Sequence, residues 1–162
     1  MIKVGDHLPA GSFRVKKGEG DITEVSVDDL FEGQKVVFIG VPGAFTTTCH
    51  YAHVPQFVAN AATFMDNGIA RIVVMAVNDA HVMKAWGEAL EAEDKIDFIA
   101  DGNADYAEAL GLAVDLTASG MGTRVKRFSM LVDDGVVKTI NFEPEGGKGI
   151  QATGAATMLN QI

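Results

Sequence analysis

The 162-residue chain holds one cysteine, Cys49, inside the stretch Val41–Pro55, VPGAFTTTCHYAHVP. The run Lys35–Val41 (KVVFIGV) reads as a strand covered on both faces and ends at the turn signal Pro42-Gly43. Thr46, Thr47 and Thr48 then offer hydroxyls for an N-cap, and a helical pattern follows through about Met65. Cys49 is therefore expected in the first turn of a helix. Backbone N–H groups are unpaired there and the helix dipole is positive, so a thiolate is favoured over a thiol. A thiolate in that place is a nucleophile. The plainer alternative is a small apolar side chain in the core.

Three further residue types bear on this sulfur. Thr46 stands three residues before Cys49, close enough on the same turn for its hydroxyl to reach the sulfur, or simply to cap the helix. His53 stands four residues after Cys49, a spacing that shares a helix face and raises a Cys/His pair or a metal site. A structural zinc site needs four ligands, and Cys49 with His50 and His53 falls short. A Cys/His pair would need an orienting Asn or Asp that the pattern does not place. Metal binding is not expected, and His7 and His81 are expected to be solvated. The candidate cations are Arg124, Lys126 and Arg127 in GTRVKRFSM. Strand alternation puts Val125 and Arg127 on one face and Arg124 and Lys126 on the other, without saying which face meets Cys49.

The elements that must position these residues alternate. Ile22–Val27 reads as an edge strand, and Asn67-Gly68 closes the helix that carries Cys49. Arg71–Val77 is a second buried strand, followed by an Asn78-Asp79 cap and a helix to about Glu91. A short strand at Asp97–Ala100 and a helix at Ala104–Leu110 come next. Lys126–Val132 and Val136–Phe142 flank Asp133-Asp134-Gly135, a hairpin signal, and Ala155–Gln161 reads as a terminal helix. The order describes one mixed-sheet α/β domain over residues 1–162.

Composition narrows the function. Hydrophobic residues make up 48% and charged residues 22%, which excludes a disordered chain. The formal charge of −9 argues against nucleic acid or an anionic membrane surface as partner. No run is long enough to span a bilayer, and no signal peptide is evident, so a cytoplasmic or similarly reducing compartment is expected. One cysteine cannot form an internal disulfide. No G-x-G-x-x-G lies between a strand and a helix and there is no Walker lysine, so no nucleotide cradle is expected.

Pro42, Thr46 and Cys49 together reproduce the P-x-x-x-T-x-x-C signature of peroxiredoxins. The fuller string, VPGAFT with a downstream H-x-P, resembles the type II, peroxiredoxin-5-like subfamily. The similarity continues collinearly through IKVGDHLP, VNDAHVMKAW, GTRVKRFSMLVDDGVVK and NFEP, nearly the whole chain. This resemblance implies a thioredoxin-like fold and a thiol-dependent peroxidase acting on hydrogen peroxide and small alkyl hydroperoxides through a Cys49 sulfenic acid. It implies that Thr46 hydrogen-bonds the peroxide, that Arg127 keeps the thiolate ionised and polarises the peroxide, and that Pro42 shields the sulfur from water. By the same likeness His53 is structural or tunes the site, and Arg124 is a supporting ion-pair partner. No cofactor is implied.

The second cysteine of some relatives would fall near Gln151 and Ala152, or at Val74; neither position holds one. The reductant is thus expected from outside, glutathione with glutaredoxin first and thioredoxin second. Thr47 stands where many relatives have proline, which would favour the first helical turn. A homodimer is also implied. The competing readings are a redox sensor switched by Cys49 oxidation and a scaffold without activity.

Overall fold

A computed structural model describes residues 1–162. Strands β1 (Ser12–Lys16) and β2 (Ile22–Ser26) lead into helix α1 (Val27–Phe31) and β3 (Lys35–Gly40). A helical stretch from Thr47 contains a π-helical turn at Cys49–His53 and continues as α2 (Val54–Ala59) and α3 (Ala61–Asp66). Then come β4 (Arg71–Ala76), α4 (Ala80–Ala89), β5 (Asp97–Ala100) and α5 (Asp105–Ala109). The chain finishes through β6 (Ala113–Asp115), a 3₁₀ turn (Thr117–Ser119), β7 (Thr123–Val125), β8 (Phe128–Asp133), β9 (Val136–Phe142) and α6 (Ala155–Leu159).

Seven strands form one sheet in the order β2-β1-β5-β4-β3-β8-β9, with β3, β4 and β5 parallel and the others antiparallel to their neighbours. Strand alternation divides the core in two. Val36, Phe38, Val73 and Met75 join a cluster with Phe13, Phe31 and Phe128 on one face. Val37, Ile39, Ile72 and Val74 join Cys49, Phe57, Phe64 and Trp86 on the other, beneath α2, α3 and α4. The near-continuous apolar runs in β3 and β4 follow from this burial on both sides.

Two registers decide what meets at the carboxyl end of β3. In the antiparallel pair β3–β8, Gly40 lies opposite Phe128, so the residue before β8, Arg127, emerges where β3 hands over to the Pro42 loop. In β8–β9, Phe128 lies opposite Phe142, which brings Glu143 to the same end. Gly40 is required for this packing, since a Cβ there would stand 2.1 Å from the Phe128 ring.

The expected elements are present with several differences, helix α1, capped by Ser26, among them. β1 was not anticipated, although Ser12-Phe13-Arg14-Val15-Lys16 alternates as an exposed strand should, with Phe13 buried. The single long helix expected to about Met65 is broken at Asn60, whose side-chain amide donates to the Gln56 carbonyl of its own preceding turn (2.7 Å). The strand expected over Lys126–Val132 begins only at Phe128, because Lys126 and Arg127 link β7 of a separate two-stranded sheet to β8 of the main one. The small sheet β6–β7 was also unforeseen. Elsewhere the signals hold: the Asp79 carboxylate accepts from the Val82 N–H at the start of α4 (3.0 Å), and Asp134 and Gly135 take positive φ (49° and 77°) in the hairpin turn.

Candidate active site

The loop after β3 is tightly constrained. The Ala44 N–H donates to Asn78 Oδ1 (2.9 Å), tying the loop to the end of β4. Gly43 leaves room for a side chain only if its neighbours move: a Cβ would lie 2.8 Å from Arg124 Nη1 and 2.9 Å from Thr46 Cγ2. Phe45 sits in the left-handed region (φ 63°) and turns the chain into the helix. The first helical N–H to find a backbone acceptor is that of His50, on the Thr46 carbonyl at 2.8 Å. The N–H groups of Thr47, Thr48 and Cys49 therefore have no backbone partner.

The opening turn is wider than an α-helix. The Val54 N–H bonds the Cys49 carbonyl, five residues back, and Pro55 follows with no N–H to continue an i→i−4 ladder. Pro55 stands in the sequence, but its position alone does not announce the widened turn before it. Cys49 and His53 are fully buried across this turn, whereas Tyr51 is 77% exposed.

Arg127 joins them. Its Nη2 donates to Cys49 Sγ at 3.1 Å, and its Nη1 lies 2.8 Å from His53 Nδ1. His53 Nε2 lies 2.9 Å from the Thr153 carbonyl. A carbonyl can only accept, so the proton sits on Nε2 and Nδ1 is free to accept from the guanidinium. Burial pushes His53 down to about 4; the Thr153 carbonyl opposes that and the Arg127 charge adds to it. His53 is a neutral acceptor that anchors Arg127, and it makes no direct hydrogen bond to the sulfur.

The other expected residues take different places. Arg124 does not form an ion pair; its Nη1 donates to the Pro42 carbonyl (3.2 Å) and its Nε to the Met121 carbonyl (2.9 Å), bracing the loop. Strand alternation does not set Arg124 and Arg127 on opposite faces, because β7 ends at Val125: Arg124 reaches the Pro42 loop and Arg127 reaches the helical turn Cys49–His53 beside it. Thr46 is not an N-cap. Its hydroxyl donates to the Gly43 carbonyl (2.7 Å), which leaves the oxygen lone pairs available to accept from another O–H. His50 accepts from the buried Trp86 indole N–H at Nδ1 (2.9 Å) and stacks on Phe45 with ring centroids 5.7 Å apart. His7 and His81 are exposed.

Comparison with known proteins places the chain in a family. A family model described as Redoxin matches residues 3–159. Peroxiredoxin-2C of Oryza sativa subsp. japonica is 42% identical over 161 residues, covering 99% of this chain and 98% of its own. Peroxiredoxin-2D of Arabidopsis thaliana is 41% identical over 145 residues, 90% of each chain. Reduced Prx3 from Vibrio vulnificus, solved in complex with hydrogen peroxide, superposes with a TM-score of 0.92 at 42% identity, covering 99% of this chain and 98% of that one.

The chain belongs to the Redoxin family and has the thioredoxin-like peroxiredoxin fold. Within that family it is a peroxiredoxin of the type II, one-cysteine form, a thiol-dependent peroxidase.

Proposed function

We propose that Cys49 is the residue that reacts with peroxide and that Arg127, Thr46 and Pro42 form the rest of the reacting site. The observation that carries this reading is the 3.1 Å contact from Arg127 Nη2 to Cys49 Sγ. A guanidinium at that distance hydrogen-bonds the sulfur and is placed to follow charge onto a departing oxygen. The thiolate attacks one peroxide oxygen, an S–O bond forms and the O–O bond breaks. Sulfur is oxidised by two electrons, the peroxide is reduced, and the departing oxygen takes up a proton to leave as water or an alcohol. Arg127 and the unpaired Cys49 N–H offer hydrogen bonds to the charge that develops. Thr46, its own proton engaged by Gly43, accepts from the peroxide O–H and orients it. Pro42 closes the pocket, with Arg124 holding its carbonyl.

The resulting Cys49 sulfenic acid has no second cysteine to attack it. An external thiol displaces water to form a mixed disulfide, and a second thiol releases Cys49 as the disulfide of the reductant departs. Glutathione with glutaredoxin is the proposed reductant, with thioredoxin second. The proposed setting is the cytoplasm, where such thiols are abundant, and the proposed unit is one domain over residues 1–162. A homodimer is proposed through the aromatic face beside the site, where Phe45 (48% exposed), His50 and Tyr51 form an apolar surface.

Stopped-flow oxidation of the reduced protein by hydrogen peroxide, with mass spectrometry of Cys49, tests the reading. Rapid oxidation that adds one oxygen to Cys49, and loss of peroxide consumption in Cys49→Ser, are expected. Retained consumption in Cys49→Ser would overturn it. Fast oxidation without return by any thiol would favour the redox-sensor reading instead.

A further inference from the structure

We propose that Glu143 is a positioning residue for the Cys49 site, acting through the Thr153 carbonyl, His53 and Arg127. This inference rests on the reading of Cys49 as the reacting residue. Glu143 is the first residue after β9, and the β8–β9 register brings it to the end of the sheet from which Arg127 emerges. Its carboxylate closes the segment 144–150, which contains Gly146, Gly147 and Gly149, onto its own root. Oε1 accepts from the N–H groups of Gln151 and Ala152 (2.5 and 2.9 Å). Oε2 accepts from the N–H groups of Ala152 and Thr153 (both 2.9 Å) and from Thr153 Oγ1 (3.0 Å).

These bonds set the direction of one buried carbonyl. Thr153 is fully buried, and its C=O is the acceptor for His53 Nε2. While that bond holds, the proton stays on Nε2 and Nδ1 can accept only from Arg127. When the carbonyl swings away, the imidazole can shift its proton to Nδ1, where it meets the Arg127 donor and displaces the guanidinium from Cys49. Burial opposes ionisation of Glu143, but the hydrogen bonds from Gln151, Ala152 and Thr153 outweigh it and hold the carboxyl below its usual range. It therefore remains an acceptor at neutral pH. The chain beyond Thr153 is held separately, since the Ala155 N–H donates to Gln56 Oε1 (3.1 Å). Loss of the Glu143 grip is therefore local to residues 151–153.

The test uses Glu143→Gln in the full chain, read by two measurements. Nitrogen NMR of the His53 ring should show a single Nε2–H tautomer in the parent and a mixture in the variant. Stopped-flow oxidation of Cys49 by hydrogen peroxide should slow about tenfold, the scale seen when a residue orienting a reactive group is lost. Glu145→Gln, an exposed neighbouring carboxylate with no such bonds, should match the parent in both. If Glu143→Gln does not fold, Thr153→Val removes a single donor to the carboxylate and should slow oxidation by about threefold with the same change at His53. An unchanged tautomer overturns the proposal, whether or not the rate falls, and so does an unchanged rate. The tautomer is read without peroxide, so failure here is separable from failure of Cys49→Ser to abolish activity.

Discussion

The two ends of the central sheet are built in different ways. At the hairpin end, β8 and β9 are joined by Asp134 and Gly135, both at positive φ, and the Asp134 carboxylate accepts from the Gly33 N–H of the turn before β3. The hairpin turn itself is specified by the residues within it, and the one bond from Asp134 to Gly33 only ties it to a neighbouring turn. At the other end, Arg127, His53, Thr153 and Cys49 meet although they lie 74 to 100 positions apart along the chain in their hydrogen-bonded pairs. No local motif holds that end together. It depends on the strand registers that align Gly40 with Phe128 and Phe128 with Phe142. The hairpin end should therefore tolerate change as a matter of stability alone, whereas the site end should couple stability to chemistry.

The strongest challenge to this contrast is Arg127→Ala. It removes one link and leaves every turn intact, so oxidation of Cys49 by peroxide should fall between about a hundredfold and a thousandfold, as when a donor to developing charge is lost. Stopped-flow kinetics measures it, and a change of less than about threefold would mean that another group serves the sulfur.

A second test is thermodynamic. His53 has an ordinary value of 6.5 and is pushed by burial to about 4 in the folded protein. Between those values the unfolded chain binds a proton that the folded chain does not. Stability should thus fall as pH drops from 6.5 towards 4 and level off below, with a total contribution of about 3 kcal/mol. Urea unfolding across that window should show the slope in the parent and a flatter dependence in His53→Gln.

The smallest effect belongs to the hairpin end. Gly135→Ala meets no neighbouring atom but must hold φ at 77°, so it should cost about 1 kcal/mol in a urea titration. Its peroxide oxidation rate should equal the parent's. A slowed rate would show that the two ends are coupled through the sheet after all.

How far the sequence could be read follows the same division. The double-sided burial of β3 and β4, the Asp79 cap and the Asp134-Gly135 turn depend on periodicity and on residues a few positions apart, and all were legible. Thr46 was legible as a residue near the sulfur, but its proton partner was not, because the choice between capping and donating to Gly43 depends on the path of the loop. The break at Lys126-Arg127 was hidden for a similar reason: both residues suit a strand, and only sheet pairing ends one ladder at Val125 and begins another at Phe128. Glu143 carried a signal in NFEP, yet nothing local announces that its carboxylate grips the N–H groups of residues 151–153.

The sequence by itself determined the alternation of the central strands and helices and the lone cysteine at a helix start, and hence that no internal disulfide can form, since these rest on composition and short-range pattern. Strand alternation left the cation open and only the family resemblance named Arg127; tertiary structure alone decided its distance to the sulfur, which His53 nitrogen keeps its proton and what holds Thr153 in place. Those outcomes are contacts across long loops, selected by register and burial, and no spacing along the chain encodes the direction of a hydrogen bond.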